Sequence, residues 1–210
     1  MAALTVALGA CGGGMSGAPA APAQSSAPAP SSMQQTAAPD GVTTTSDIFG
    51  PACNQVPSSG EGSAQGMVDD PVATAASNNP LVSTLVTAVK QAGLVDTLNS
   101  AQALTVLAPA NTAFEAIPAD TLNAVLADKE TLTNILTYHV SDKRYDAASL
   151  VEAGKLGVLN GGTVTVGGTP AAPTFTGAGN GAPATTLCGN IPTANATVFV
   201  IDTVLMPAAS

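Results

Sequence analysis

The chain contains a single histidine, His139, so any catalytic mechanism that needs an imidazole has to use this residue. A Ser-His-Asp or Cys-His mechanism also needs a nucleophile, and no GxSxG motif supplies one. One histidine cannot form a zinc site alone, and the acids around Asp69 and Asp70 lack the spacing of an EF-hand loop. The sequence therefore predicts no catalytic residue, no metal site, no cofactor and no enzyme activity. An unrecognised hydrolase that uses His139 is the remaining enzymatic alternative.

Tyr138 and His139 stand together near the end of a predicted helix, and two interpretations of this pair are open. As an exposed contact point, the two side chains are the candidate interaction residues of the protein. As core residues, Tyr138 is a buried aromatic and His139 is a hydrogen-bonded, buried imidazole. His139 shares the apolar face of its helix with Leu132, Ile135 and Leu136, which favours the buried interpretation.

Cys11 is the candidate residue for lipid attachment. It follows Leu8-Gly9-Ala10, and the four residues match the bacterial lipobox. The apolar run over residues 1–10 has the length of a signal-peptide h-region and is too short to span a bilayer. Cleavage before Cys11 frees its amine, and the thiol then carries a diacylglyceryl group that inserts into the lipid bilayer. A basic n-region is missing, so either the true start lies upstream or the signal is atypical. The alternative is a soluble exported protein in which Cys11 is removed or is an ordinary thiol.

Residues 11–46 are rich in Pro, Ala and Ser and almost free of charge, so burial of apolar surface cannot offset the entropy of ordering them. We interpret them as a disordered, lipid-anchored tether behind the signal peptide of residues 1–10. An N-terminal extension over 47–67 and a globular domain over 68–208 follow. The expected location is the cell membrane, with the domain at the cell surface. Release of some molecules into the medium stays open.

The other two cysteines, Cys53 and Cys188, are the pair left after lipidation of Cys11. In an exported protein such a pair is expected to form a disulfide, which here ties the N-terminal extension to a strand near the C-terminus. A metal or redox pair is the alternative, but the CxxC spacing and additional histidines are missing.

The charge balance excludes several classes of partner. The formal net charge is -9, from 14 acidic and 5 basic residues, and Lys90 is the first basic residue in the chain. Neither a nucleic-acid surface nor a polybasic contact with anionic lipid is compatible with this distribution. We therefore expect no nucleic acid among the partners, and we expect a monomer.

The first half of the domain is predicted to form short helices around one buried strand. Asp70 is predicted to cap a first helix, and Asn79-Pro80 starts a second helix that ends at Gly93. An apolar strand over Leu104–Leu107 follows, and Asn111 is predicted to cap the next helix through the N–H of Ala113 or Phe114. Two further helices are predicted with Asp120 and Asp128 as their N-caps. The charged stretch from Asp142 to Asp146 is interpreted as a solvated connection.

The second half of the domain has the alternation of apolar and polar residues that is typical of β-strands. Asn160-Gly161-Gly162 separates two apolar segments and predicts a hairpin. Strands are also predicted over Thr174–Thr176 and Thr185–Cys188. The last strand, Thr197–Val204, has four consecutive large apolar residues, which is typical of a strand buried on both faces at the centre of a sheet. Asn195-Ala196-Thr197 fits a glycosylation sequon, although a turn before the last strand is the simpler interpretation.

Three segments of the chain, in order, resemble the signatures of a fasciclin domain. The first is Thr105–Phe114 (TVLAPANTAF), the second contains the Tyr138-His139 pair, and the third is Val198–Pro207 (VFVIDTVLMP). The resemblance spans about Val68–Pro207 and is strongest to mycobacterial cell-surface fasciclin lipoproteins and their secreted antigen relatives. The chain departs from the family pattern at Thr112, where an Asp is usual, and at Phe199, where many relatives have His.

The resemblance implies an α+β fold in which a wedge-shaped β-sandwich carries a layer of short helices. It also implies the disulfide of the bacterial members and no enzyme activity. Fasciclin domains are generally adhesion or surface-interaction modules, and in animal relatives the Tyr-His region is linked to integrin binding. The expected function is thus presentation of a fasciclin domain for cell adhesion or for interaction with a host protein or matrix partner. The alternative is an envelope carrier that holds a small ligand in a cleft beside the helices.

Overall fold

The computed structural model describes residues 40–208. The predicted signal peptide, Cys11 and residues 12–39 of the predicted tether lie outside the described residues. Residues 40–46, also predicted as tether, pack against the domain instead: Thr43 is buried and the Thr197 hydroxyl donates to the carbonyl of Gly41. Gly41 permits this contact because its φ is +68° and a Cβ there would overlap the backbone of Arg144.

The helices of residues 40–208 are short, and most lie in the first half of the domain. They are α1 (Val72–Ser77), α2 (Ser83–Ala92), α3 (Val95–Ser100), α4 (Asn111–Glu115), α5 (Ala119–Ala127), α6 (Lys129–Tyr138) and α7 (Ala147–Ala153), with 3-10 turns at Thr45–Asp47, Cys53–Gln55 and Pro80–Val82. Within this described part, none of the helices combines the length and the apolarity needed to cross a membrane.

Some of the predicted helix boundaries are confirmed. Asn79 accepts a hydrogen bond from the N–H of Leu81, with Pro80 in the first position of the 3-10 turn that leads into α2. Gly93 ends α2 with φ +75°. Asp128 caps α6 by accepting from the N–H groups of Glu130 and Thr131. Its carboxyl group also accepts from the Thr131 hydroxyl, and these bonds together lower its pKa.

The other predicted caps are wrong. Pro71 rather than Asp70 holds the N-cap position of α1, and Pro118 rather than Asp120 holds that of α5. Asp120 lies inside the first turn of α5, where a carboxylate is also favourable because it faces the positive end of the helix dipole. The Asn111 side chain is used elsewhere, as described below.

Seven strands form one continuous sheet in the described part. They are β1 (Leu104–Pro109), β2 (Val140–Ser141), β3 (Lys155–Gly157), β4 (Thr163–Thr169), β5 (Ala172–Thr176), β6 (Ala184–Pro192) and β7 (Ala196–Ile201), in the order β2-β1-β7-β6-β5-β4-β3. β1 and β7 are parallel, and the remaining pairs are antiparallel. The predicted hairpin at residues 160–162 and the interior position of the last strand are confirmed.

Two apolar cores hold these layers together. One core lies between the helices and one face of β1, β6 and β7, and includes Leu85, Val106, Leu136 and Val200. The second core joins residues from both halves of the sheet, which therefore folds over on itself; they include Leu107, Leu156, Val164, Phe175, Phe199 and Ile201. The rings of Phe175 and Phe199 meet edge to face with centroids 5.8 Å apart. The predicted α+β sandwich with short helices is confirmed.

Candidate functional site

His139 lies immediately after α6 and is buried, with 2% of its surface exposed. Its Nδ1 lies 2.8 Å from the carbonyl oxygen of Ile135, and its Nε2 accepts a hydrogen bond of 2.9 Å from the N–H of Leu205. This pair of bonds requires the neutral tautomer with the proton on Nδ1. Burial lowers the pKa of His139 to about 4, and the bond to Ile135 offsets part of this effect. His139 is therefore uncharged at neutral pH and ties the C-terminal segment to α6.

Tyr138 is buried in the second core, with 1% of its surface exposed. Its hydroxyl donates to the carbonyl of Thr163 and accepts from the N–H of Ala178, both at 2.9 Å. Gly162 and Gly177 leave room for the ring, because a Cβ at these positions would come within 2.8 and 3.1 Å of its Cε2 and Cε1 carbons. The interpretation of Tyr138 and His139 as an exposed contact point is therefore wrong for this structure, and the buried interpretation is the one observed.

Asn111 lies within the first turn of α4, and Ala110 holds the N-cap position. The Asn111 Oδ1 accepts from the N–H of Thr84 at 3.0 Å, and its Nδ2 donates to the carbonyl of Pro80 at 2.8 Å. Asn111 thus caps the start of α2, a different helix from the one predicted. The prediction failed because a capping partner far away in sequence leaves no local pattern.

Asn195 is a structural residue that the sequence did not single out for this role. Its Nδ2 donates to the carbonyls of Leu98 and Ala101, both at 2.8 Å, and its Oδ1 accepts from the N–H of Val72. One buried amide therefore joins the start of α1 and the end of α3 to the loop before β7. The sequon match was the only signal at this position, and burial of the Asn195 side chain argues against its use for glycosylation.

Arg144 lies in the segment that was predicted to be a solvated connection. The segment is only partly so: Asp142 and Lys143 are exposed, whereas Arg144 is half-buried. The Arg144 guanidinium donates to the hydroxyl of Thr197 and to the carbonyl of Thr193. Burial lowers the pKa of Arg144, and the charge of Asp40 opposes that shift. The guanidinium thus fastens this segment to β7 and to the loop that precedes it.

The expected disulfide joins Cys53 to Cys188, whose Cα atoms are 5.0 Å apart. Cys188 is fully buried in β6, whereas Cys53 lies in the 3-10 turn of the N-terminal extension. An isolated bridge between Phe49 and Gly189 runs beside this bond. The extension is therefore fixed to the sheet by covalent and backbone bonds.

An apolar pocket opens between the helices, and we call it the α1–α3 pocket. Its volume is about 60 Å³. Its walls come from α1, α2, α3, β1, the end of α6 and the β3–β4 loop, and they include Val72, Leu85, Val95, Leu98, Val106, Leu136, His139 and Leu159. Most of these residues are buried, whereas Ser77, Thr97 and Leu159 are exposed and mark the mouth.

A second, wider depression lies beside this mouth, and we call it the outer groove. Its volume is about 270 Å³, and it is lined by Thr97, Leu98, Ala101, Gln102, Ala103, Leu104, Asp142 and Leu159. Thr97, Leu98 and Leu159 line both spaces, so the two are adjacent. Together they form the candidate site of the described structure. Within residues 40–208, no group of three or more His, Cys, Asp and Glu side chains is arranged to hold a metal ion.

Comparison with known proteins agrees with this architecture. A family model described as Fasciclin domain matches residues 80–207. The chain is 44% identical over 174 residues to Immunogenic protein MPB70 of Mycobacterium bovis, across 78% of this chain and 84% of that protein. It is 43% identical to Cell surface glycolipoprotein MPB83 of the same species, across 78% of this chain and 74% of the relative. Protein sll1483 of Synechocystis is 37% identical, across 63% of this chain and 71% of that protein.

The fold is also similar to that of a solved FAS1 domain pair from the insect cell adhesion molecule Fasciclin I. The TM-score is 0.57 at 19% sequence identity, and the match covers 67% of this chain and 52% of that chain, which is about half of the domain pair. The sheet, the helical layer, the matched family model and the identity to the mycobacterial proteins lead to one conclusion. The chain belongs to the fasciclin domain family.

Proposed function

We propose that this chain is a non-enzymatic surface protein that presents its fasciclin domain for cell adhesion or for interaction with a host protein or matrix partner. The observation that carries the proposal is the 43% identity, across 78% of the chain, to a protein named as a cell surface glycolipoprotein. The proposed location follows from the same relative, as an exported protein held at the cell surface.

The polar side chains of the domain support a structural rather than a catalytic use. His139, the only imidazole of the chain, has both ring nitrogens in hydrogen bonds to the backbone. A general base needs a free nitrogen within reach of a nucleophile, and neither nitrogen of His139 is free for that role. Asn195 and Arg144 are likewise engaged in bonds that join separate segments of the domain.

Lipid attachment at Cys11 is part of the proposal. The lipobox-like sequence before Cys11 supports it, as does the Pro-rich composition of residues 12–39. Metabolic labelling of the bacterium with an alkyne fatty acid tests this step. We expect label on the wild-type chain and none on the Cys11→Ala variant, whereas equal labelling of both would contradict lipidation at Cys11.

Adhesion is tested with the full chain made soluble by Cys11→Ser. Binding to immobilised matrix proteins and to cultured host cells is measured by biolayer interferometry and by flow cytometry. The control is the same chain after reduction of the disulfide and alkylation with iodoacetamide, which keeps the sequence and the net charge but removes the link between Cys53 and Cys188. Saturable binding that exceeds this control is expected, and its absence from every surface tested would count against the adhesion function.

The second candidate function is an envelope carrier of a small ligand, and the α1–α3 pocket is the observation that favours it. Its volume of about 60 Å³ is less than half that of the dry cavities of about 150 Å³ that accept benzene. A carried molecule could therefore insert only a small apolar group. Native mass spectrometry of the protein purified from its own host tests this function, since a carrier retains a ligand mass and an adhesion module does not.

A further inference from the structure

The α1–α3 pocket and the outer groove differ in chemistry, although they share a boundary. The wall of the pocket is almost entirely aliphatic, and its one ionisable member, His139, is neutral because both ring nitrogens are hydrogen-bonded inside the domain. The outer groove adds the polar side chain of Gln102 and the carboxylate of Asp142. An occupant of both spaces therefore has an apolar part and a polar part.

Leu159 marks the boundary between the two spaces. It is 42% exposed and is one of two large apolar side chains with such exposure in residues 40–208, the other being Val42. Its backbone N–H donates to the carbonyl of Val140, so the loop that presents it is fixed to β2. Leu159 is thus an apolar side chain held at the mouth of an apolar pocket, which is the arrangement of a binding anchor.

The size of the pocket selects the apolar part of the occupant. A volume of about 60 Å³ is too small for an aromatic ring or a whole small molecule, but it admits an aliphatic group that enters from the open mouth. Protein interfaces commonly place one such side chain in a pocket at their centre and surround it with polar contacts. The branched methyl end of a leucine or valine side chain has the required size and chemistry.

The charge of the residues around the two spaces determines the polar part of the occupant. Among the described residues, Asp142 is the one charged residue that lines the pocket or the groove, and neither space has a Lys or Arg in its lining. Asp96 is exposed on α3 between Val95 and Thr97, two of the pocket residues, and the whole chain carries a formal charge of -9. Lys143 follows Asp142 but does not line the groove. The surface therefore favours a cation beside the apolar group.

We propose that the α1–α3 pocket and the outer groove bind a segment of a partner protein, with one aliphatic side chain in the pocket and an adjacent basic side chain beside Asp142. This inference rests on the proposed function in protein interaction and assigns the surface that performs it. The contact differs from an exposed Tyr138-His139 pair, because Tyr138 lines neither space and His139 contributes to the pocket wall only as a buried, neutral side chain.

Direct binding of defined peptides tests the proposal. The probes are acetylated and amidated Gly-Leu-Arg-Gly, Gly-Ala-Arg-Gly and Gly-Leu-Glu-Gly, added to the full chain with Cys11→Ser. Methyl chemical shifts of Val86, Val95 and Leu159 report on the pocket. For one inserted side chain, we expect the first peptide to bind with a Kd on the order of millimolar, about tenfold tighter than the alanine peptide and roughly threefold tighter than the glutamate peptide.

Matched variants show whether the binding uses this surface. Leu159→Ser is expected to weaken the Gly-Leu-Arg-Gly complex about tenfold, while Val42→Ser, at the other exposed large apolar residue, leaves it unchanged. Asp142→Asn is expected to abolish the preference for Arg over Glu without loss of fold, since Asp142 is exposed. Far-UV circular dichroism of each variant checks the fold.

The proposal is overturned if the leucine and alanine peptides bind equally, if no peptide shifts the pocket methyls, or if Leu159→Ser has no effect on binding. Shifts of the same methyls by 1-hexanol, together with no response to any peptide, would identify a small-ligand pocket instead and also overturn it. The adhesion assay distinguishes failure of this binding surface from failure of the proposed function. Matrix binding that is retained by Leu159→Ser leaves the proposed function standing and rejects this surface, whereas peptide binding without matrix or cell binding supports the surface and rejects adhesion to the tested partners.

Discussion

The Oδ1 atom of Asn195 accepts a hydrogen bond of 2.9 Å from the backbone N–H of Val72, a residue 123 positions earlier in the chain. Val72 is the first residue of α1, whose own N-cap position is held by Pro71 without a side-chain cap. Asn195 therefore supplies the missing cap from the loop before β7. The same amide holds the end of α3, so one side chain fixes two helices that form walls of the α1–α3 pocket.

Asn195→Ala is expected to lower the free energy of unfolding by about 3 kcal/mol, because it leaves the buried N–H of Val72 and the carbonyls of Leu98 and Ala101 without this partner. Urea denaturation followed by circular dichroism measures the change. Asn123→Ala is the matched control, since Asn123 is exposed on α5. A change below about 0.5 kcal/mol in Asn195→Ala would show that water replaces the amide and that the link is not structural.

Asn111→Ala is expected to cost about 1 kcal/mol, and the effect should fall on α2 rather than on α4, because the lost hydrogen bond is the one from the N–H of Thr84. Amide hydrogen exchange distinguishes the two helices. Faster exchange at Thr84, with the α4 amides unchanged, is the predicted result. Thr112→Ala, at the adjacent exposed position, provides the control. Loss of protection confined to α4 would contradict this result and would show that Asn111 caps its own helix, as the sequence predicted.

The pH dependence of stability should contain a contribution from His139. Its pKa is about 4 in the folded protein and about 6.5 when it is exposed, so the unfolded chain binds the proton first as the pH falls. Stability that is present above pH 6.5 is therefore lost between about pH 6.5 and pH 4, and the total loss from this group is roughly 3 kcal/mol.

Urea midpoints of the wild type and of His139→Gln, compared across this pH range, isolate the contribution because the carboxylates are common to both proteins. The wild type should lose more stability than the variant, and the imidazole resonance of the folded protein should not titrate near its ordinary pKa of about 6.5. Parallel pH profiles in the two proteins would mean that His139 is solvated in the folded state.

Reduction of the disulfide should destabilise the domain by about 5 kcal/mol on the chain-entropy model, because the bond joins residues separated by 135 positions. Denaturation with and without dithiothreitol measures the difference in one and the same sequence. The Cys53→Ala/Cys188→Ala double variant controls for effects of the reductant and should not respond to it. Equal denaturation midpoints for the oxidised and reduced wild type would show that the disulfide adds no stability and that noncovalent contacts alone hold the extension to the sheet.

The sequence predicted the parts of this fold whose causes are local. Asp128 caps α6 through the N–H groups two and three residues ahead, and Gly93 ends α2 because it adopts a left-handed conformation. The apolar run at the end of the chain marked β7 as an interior strand, and both its faces are buried because Val200 packs in the core under the helices while Phe199 and Ile201 pack in the second core. The two cysteines other than Cys11 allowed only one pairing, and the structure contains it.

The same local reasoning failed where a side chain bonds to a distant segment. Asn111 satisfies the rule for an N-cap, but its partners lie 27 and 31 residues away, at Thr84 and Pro80. Residues 40–46 have the composition of a tether, yet Gly41 lies close to Arg144 and its carbonyl accepts from Thr197. Composition describes what a segment can bury by itself and carries no information on the surface against which it packs.

By itself, then, the sequence determined the fold class, the succession of helices followed by strands and the family to which the chain belongs, because periodicity, capping and signature residues act over a few neighbouring positions. Only the tertiary structure decided that Tyr138 and His139 are buried and that a pocket opens beside Leu159. The burial of Tyr138 depends on the folding of the sheet over a second core, and the pocket depends on the packing of α1, α2 and α3 against β1. These contacts join residues far apart in the chain, and their geometry has no counterpart in a local pattern.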